Sequence, residues 1–193
     1  MESALTRAGW RDESPGESEL LRSGDAAAFE RIVRENRRAV YLMARRVLGD
    51  HDSADEAAQV AFVRAWQGRR KFRGASSVRT WLIRIALNVA RSMRGSRRGG
   101  ETPHGFEAIP DRSPGSEERV RRRQLRERVR RAVAALPDRQ REAVLLKVFS
   151  DLTCKETAEI MGLSEGAVKA HLHQAVGNLR RIMRAAAGEE AMR

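Results

Sequence analysis

Apolar residues recur at three- and four-residue steps through most of the chain and never alternate one-in, one-out over any length, so the pattern predicts helices and no sheet. Over residues 25–48 one face carries Phe29, Ile32, Val33, Val40, Met43, Ala44 and Val47, while Arg31, Arg34, Arg37, Arg38, Arg45 and Arg46 take much of the rest, and Gly49 ends the helix. The stretch DHDSADEAAQVAFVRAW follows, with Ser53 and Glu56 at capping-box spacing and a buried stripe of Ala58, Ala61, Phe62, Ala65 and Trp66. A basic, turn-rich loop at 71–77 leads into a third helix with Val78, Trp81, Leu82, Ile85, Val89 and Met93 inward. Further on, Leu125, Val129, Ala132, Val133 and Leu136 form one face. Pro137 then opens a helix over 139–149 with Val144, Leu145 and Val148 turned inward.

The strongest local pattern lies in TCKETAEIMGLSEGAVKAHLHQAVGNLRR, residues 153–181. Thr153 and Glu156 stand at capping-box spacing, Ala158 is small where two helices must approach, and Gly162 sits where the chain must turn with positive φ. Ser164 caps a second helix whose inward face is Val168, Leu172, Ala175 and Leu179. Gly166, Lys169, Ala170, His173 and Gln174 face outward, with His171 toward one side. Cap, small residue, turn glycine and apolar stripe together predict a helix-turn-helix whose short, polar, basic face fits the DNA major groove, about 12 Å wide. An ordinary helical hairpin with a solvated outer face is the plainer reading of the same stretch.

The fold expected is therefore all-α: two small helical domains at 23–95 and 119–185, joined by a flexible linker at 96–118 and flanked by tails at 1–22 and 186–193. The linker assignment rests on proline and glycine without periodicity, and the N-terminal tail on its polar character. Two domains on such a tether are expected to move independently.

Charge sharpens the picture. The net charge is +12, nearly all of it from arginine, since lysine occurs only as Lys71, Lys147, Lys155 and Lys169; such a chain expects a polyanionic partner. Within this basic protein Asp50, Asp52, Asp55 and Glu56 form an acidic island, with no lysine or arginine between Arg46 and Arg64. Helix N-termini favour acids, but a docking face for a basic partner explains the cluster equally well. Arginines with Phe72 and Trp81 in the loop and third helix can hold phosphates and stack on unpaired bases, although Trp81 lies on the apolar stripe.

Other chemistry is not indicated. There is no phosphate-binding glycine loop, paired-histidine motif or nucleophile elbow, so no catalytic residue, cofactor or metal is expected. Cys154 is the only cysteine, which excludes an intrachain disulfide, and its spacing to His171 and His173 is poor for zinc. No run approaches the roughly 18–20 apolar residues of a membrane span. The N-terminus lacks the apolar core of a signal peptide, and a cytoplasmic protein is expected.

At these residues the chain resembles the bacterial sigma factors of the sigma-70 type, in the small extracytoplasmic-function group. DSADEAAQVAFVRAW resembles the family's acidic helix ending in F-x-x-A-W, and FRGASSVRTWLIRIALNVARSMR its F-x-x-x-x-x-F-x-T-W-L-x-x-I-A-x-N pattern. The segment from ALPDRQREAV onward resembles L-P-x-x-x-R followed by the family's helix-turn-helix. The resemblance covers roughly 25–95 and 119–184. It implies that Asp52, Asp55, Glu56 and Gln59 dock core RNA polymerase. It further implies that Lys71, Phe72, Arg73, Ser76, Ser77, Thr80, Arg84, Asn88 and Arg91 meet the opened minus-10 promoter element. Lys155, Glu165, Gly166, Ala167, Lys169, Ala170, His171, His173 and Gln174 would meet the minus-35 duplex. An anti-sigma factor is common in the family.

The chain departs from the family pattern at Val60 and Ser92, where acids are usual, and at Val78, where an aromatic is usual. Ala170 and His171 stand where a serine–arginine pair is common, which removes a bidentate guanine reader. Two rivals remain at this level: a transcription regulator of the LuxR type that acts without core polymerase, and a basic RNA-binding or scaffold protein.

Overall fold

The computed structural model describes residues 16–96 and 116–191, and among them every regular element is helical. The order is α1 (Glu17–Ser23), α2 (Ala26–Leu48), α3 (His51–Gly68), a single 3-10 turn (Arg69–Lys71), α4 (Val78–Ser96), α5 (Ser116–Ala134), α6 (Asp138–Lys147), α7 (Cys154–Met161) and α8 (Glu165–Ala191). Most of the expected linker lies outside the described residues.

The first unit packs α2, α3 and α4 together, with α1 against α2 and the 3-10 turn. Asp25 starts α2 by accepting from the Ala27 amide at 3.1 Å, and Gly49 ends it at φ 91°. The inner face of α3 is almost entirely alanine: Ala54, Ala57, Ala58, Ala61 and Ala65 are all buried. Such small side chains let α2 and α4 approach closely, while Ile32, Met43, Leu82, Ile83 and Leu87 fill the centre. Burying each of these larger side chains contributes roughly 1.5–3 kcal/mol.

The second unit joins α5 to α8. The α7–α8 turn forms as its sequence dictates. Thr153 accepts from the Glu156 amide at 3.1 Å while Glu156 accepts from the Thr153 amide at 2.8 Å, a complete capping box. Gly162 turns the chain at φ 65°, and Ser164 caps α8 by accepting from the Ala167 amide at 3.2 Å.

Several expectations need correction. The cap of α3 is Asp50, which accepts from the Ser53 amide at 2.8 Å; the helix starts earlier than a Ser53–Glu56 box would allow, and Ser53 is buried beneath it. Part of the stretch read as a loose tail forms α1, anchored by buried Leu21. At the other end, α8 continues to Ala191. Leu125 and Val129 are exposed, because packing covers α5 only from Ala132 and Val133 onward. Val148 is exposed as well, since α6 ends at Lys147 and the periodic face ends with it.

The two units are not independent. Arg46 Nη1 lies 3.4 Å from Ser150 Oγ, with its guanidinium over the Phe149 ring. Arg79 donates to the Ser150 carbonyl at 3.2 Å, and the Thr80 hydroxyl donates to Glu156 Oε1 at 2.7 Å. Arg91 pairs with Glu142, and Arg94 with Asp138 at 3.3 Å.

Candidate polymerase and nucleic-acid interfaces

On α3, Asp52, Asp55, Glu56 and Gln59 are all exposed. Their spacing places them on one stripe, and the alanine face opposite fixes that stripe outward. Asp55 borders a hollow lined by Arg34, Arg37, Arg38 and Tyr41 of α2, so a basic shelf adjoins the acidic stripe. An acidic stripe on a well-packed helix is a rigid electrostatic surface, suited to a basic partner.

The loop before α4 and the outer side of α4 gather cationic groups. Lys71, Arg73, Arg84, Asn88 and Arg91 are exposed, and Ser76 and Ser77 are half-buried. Ser77 shapes the backbone here, since its hydroxyl accepts from the Thr80 amide at 3.0 Å and caps α4. Thr80 is only 1% exposed, held between Ser77 and Glu156. Phe72 is buried too, its ring 5.0 Å from that of Trp81, so it anchors the loop and presents no open stacking face here.

In the helix-turn-helix, Lys155 of α7 and Glu165, Gly166, Lys169, Ala170, His173 and Gln174 of α8 are exposed. Ala167 and His171 are half-buried, and Val168 and Ala175 are buried behind the exposed face. Gln140 Nε2 donates to Gln174 Oε1 at 3.4 Å, and Asn178 donates to Gln140 Oε1 at 2.7 Å, bracing α8 against α6. The outer face of α8 is therefore open and held at a fixed attitude.

Sequence reasoning missed the residues that join the units: Arg46, Arg79, Arg94, Asp138, Glu142, Ser150 and the second role of Glu156. Burial, and secondarily the charge of Arg79, pushes the Arg46 guanidinium down to about 10, so it stays charged at neutral pH. Burial also lowers Arg79, against which Asp151 and Glu156 pull upward. Glu156 would rise through burial, but hydrogen bonds from the Thr153 amide and the Thr80 and Thr153 hydroxyls, with the Arg79 charge, hold it below the usual carboxylate value. No local pattern announces such pairs, because their partners lie far apart along the chain.

Among the described residues no cluster of His, Cys, Asp and Glu could hold a metal ion, and no helix is long and apolar enough to cross a membrane.

Comparison with known proteins agrees with this division into two units. Residues 32–99 match the family model described as sigma-70 region 2, and residues 126–179 that described as sigma-70, region 4. The chain is 30% identical over 169 residues to the RNA polymerase sigma-H factor of Pseudomonas aeruginosa, covering 81% of this chain and 86% of that one. It is 30% identical over 167 residues to the ECF RNA polymerase sigma-E factor of Escherichia coli, covering 81% and 87%. In fold it is similar to the sigma factor RpoE in its complex with the anti-sigma factor NepR from Bartonella quintana. That match has a TM-score of 0.63 at 22% identity, covering 81% of this chain and 96% of the other.

Proposed function

This chain belongs to the sigma-70 family of RNA polymerase sigma factors, in its extracytoplasmic-function group, and from that membership we propose which surface performs each step of promoter-directed initiation. The region 2 match over 32–99 favours a sigma factor over the LuxR-type regulator, which has no use for such a unit. A scaffold that binds RNA without sequence preference likewise leaves both matched regions unexplained.

The acidic stripe of Asp52, Asp55, Glu56 and Gln59 docks core polymerase. The observation that carries this assignment is its exposure on a helix whose opposite face is buried in the core. Lys71, Arg73, Arg84, Asn88 and Arg91 hold the opened minus-10 strand by its phosphates and base edges. Ser76, Ser77, Thr80 and Phe72 shape that surface, and Phe72 acts from beneath the loop. The outer face of α8, with Lys155, meets the minus-35 duplex. Ala170 and His171 leave it without the fork of an arginine, so recognition there leans on Lys169, His173 and Gln174.

No covalent step is involved. Each unit supplies a weak DNA contact, and polymerase holds the two at fixed separation, so the second contact forms at high effective concentration. The protein works in the cytoplasm, where its polymerase and promoter are, and an anti-sigma factor is a partner of the kind seen with RpoE.

Reconstituted run-off transcription tests this reading. Core polymerase should give promoter-dependent transcripts only with this protein present. Asp55→Arg combined with Glu56→Arg should abolish core binding while leaving the helical circular dichroism unchanged, since both side chains are exposed. Normal core binding by that double variant would refute the docking assignment.

A further inference from the structure

The chain enters the loop at 71–77 past a clasp that belongs to none of the proposed interfaces. Arg69 opens the 3-10 turn between α3 and that loop. Its guanidinium lies over the Trp66 ring, 3.8 Å from the centroid, and donates to the Trp66 carbonyl at 2.6 Å. Trp66 is itself held, its ring 5.0 Å from that of Phe29 on α2. The same guanidinium lies against Gly24, the left-handed residue that ends α1 at φ 77°. A Cβ at Gly24 would stand 3.1 Å from Arg69 Nη2 and 3.3 Å from Nε, so glycine is needed there for the backbone conformation and for the approach alike. α1 is in turn seated by Leu21, only 1% exposed.

This clasp fixes where the loop begins. The Phe72 amide donates to the Arg69 carbonyl at 3.2 Å, and the Phe72 ring packs beneath on Trp81. Farther along, Gly74 turns at φ 69°, and a Cβ there would be 3.7 Å from Ser18 Oγ, so α1 borders the turn of the loop as well. Lys71 and Arg73 are thus exposed from a backbone that is held on either side of them. A loop already ordered in the free protein gives up less freedom on binding. Its donors also stay in one arrangement, which fits some bases and not others.

We propose that Arg69 is a positioning residue for strand capture: clasped by the Trp66 ring and the Gly24 backbone, it ties α1 to the loop at 71–77 and so sets how well that loop tells one base of the opened strand from another. Arg69 itself touches no DNA. The proposal rests on the assignment of this loop to the minus-10 strand, and Arg73→Ala tests that assignment separately.

The experiment uses the full chain bound to core polymerase. The probes are the non-template minus-10 strand of a promoter that supports run-off transcription, as a dye-labelled single-stranded oligodeoxynucleotide, and the same strand with single-base changes. Anisotropy gives the affinity for each and hence the ratio of matched to changed strands. Arg69→Ala should weaken matched-strand binding by about three- to tenfold and bring the ratio toward one, with core affinity unchanged. Gly24→Ala, which presses on the guanidinium from α1 without altering Arg69 or the loop, should lower the ratio in the same direction. A variant that is merely less stable loses active protein equally for every strand, so its ratio does not move. A ratio unmoved in both variants overturns the proposal, and if one of the two fails to fold the other decides. Matched-strand affinity unmoved by Arg73→Ala removes the loop from the strand altogether. Affinity lowered by Arg73→Ala, with the ratio unmoved by Arg69→Ala and Gly24→Ala, sinks the clasp alone.

Discussion

Thr157 shows how much a single side chain can conceal. It is fully buried in α7, and its hydroxyl oxygen has no hydrogen-bond partner. A buried hydroxyl left unpaired costs about 1–3 kcal/mol. Thr157→Val keeps the branched shape and removes the unpaired oxygen, so the variant should be more stable, by about 1 kcal/mol in urea denaturation. A loss of stability would mean that the hydroxyl is bound after all. Phe72 makes the complementary point. Its sequence context suits either a stacking ring or an anchor, and only packing against Trp81 decides for the anchor. Thr80 is alike: a polar residue at a helix start reads as accessible, yet it is closed in by a carboxylate from the other unit.

At the level of the element, whatever is fixed within a few residues was legible. The α7–α8 turn is the clearest instance, because cap, turn and second cap each depend on neighbours along the chain: Thr153 with Glu156, Gly162 alone, Ser164 with Ala167. Gly162 stands at φ 65° with open space around the position of a Cβ. Gly162→Ala should therefore cost only the backbone penalty of that conformation, about 1–2 kcal/mol, visible as a lower melting temperature with the fold intact. A neutral result would show that the turn relaxes. Legibility failed where two local signals competed. Asp50 and Ser53 can both cap α3, and Asp50 prevails because the helix begins early enough to bury Ser53. It failed also on α5, whose apolar positions extend beyond the part that α8 and α6 cover.

On the scale of the whole molecule, the sequence yields two helical units but says nothing about their contact. Hydrophobic period and capping residues carry no information on whether position 80 meets position 156. That contact has a pH signature. Hydrogen bonds and Arg79 hold Glu156 below its ordinary value of 4.5, despite the opposing effect of burial. Its stabilising effect is therefore fully present above that value and is lost as pH falls through the lower, folded one. The contact, read as energy transfer between dyes placed on exposed positions of α3 and α8, should be constant from pH 7 to about 5 and decline below. Glu156→Gln should flatten the curve. An unchanged curve in that variant would remove Glu156 from the contact.

Glu156 is committed twice: it completes the cap that starts α7, and it grips Thr80 across the gap. The first turn of α7 thus works as a hinge pin shared by two mechanisms. Whatever loosens that turn, whether heat or a bulky neighbour, slackens the grip on α4 at the same stroke, so the helix-turn-helix and the side of α4 proposed to hold the opened strand are coupled through one carboxylate.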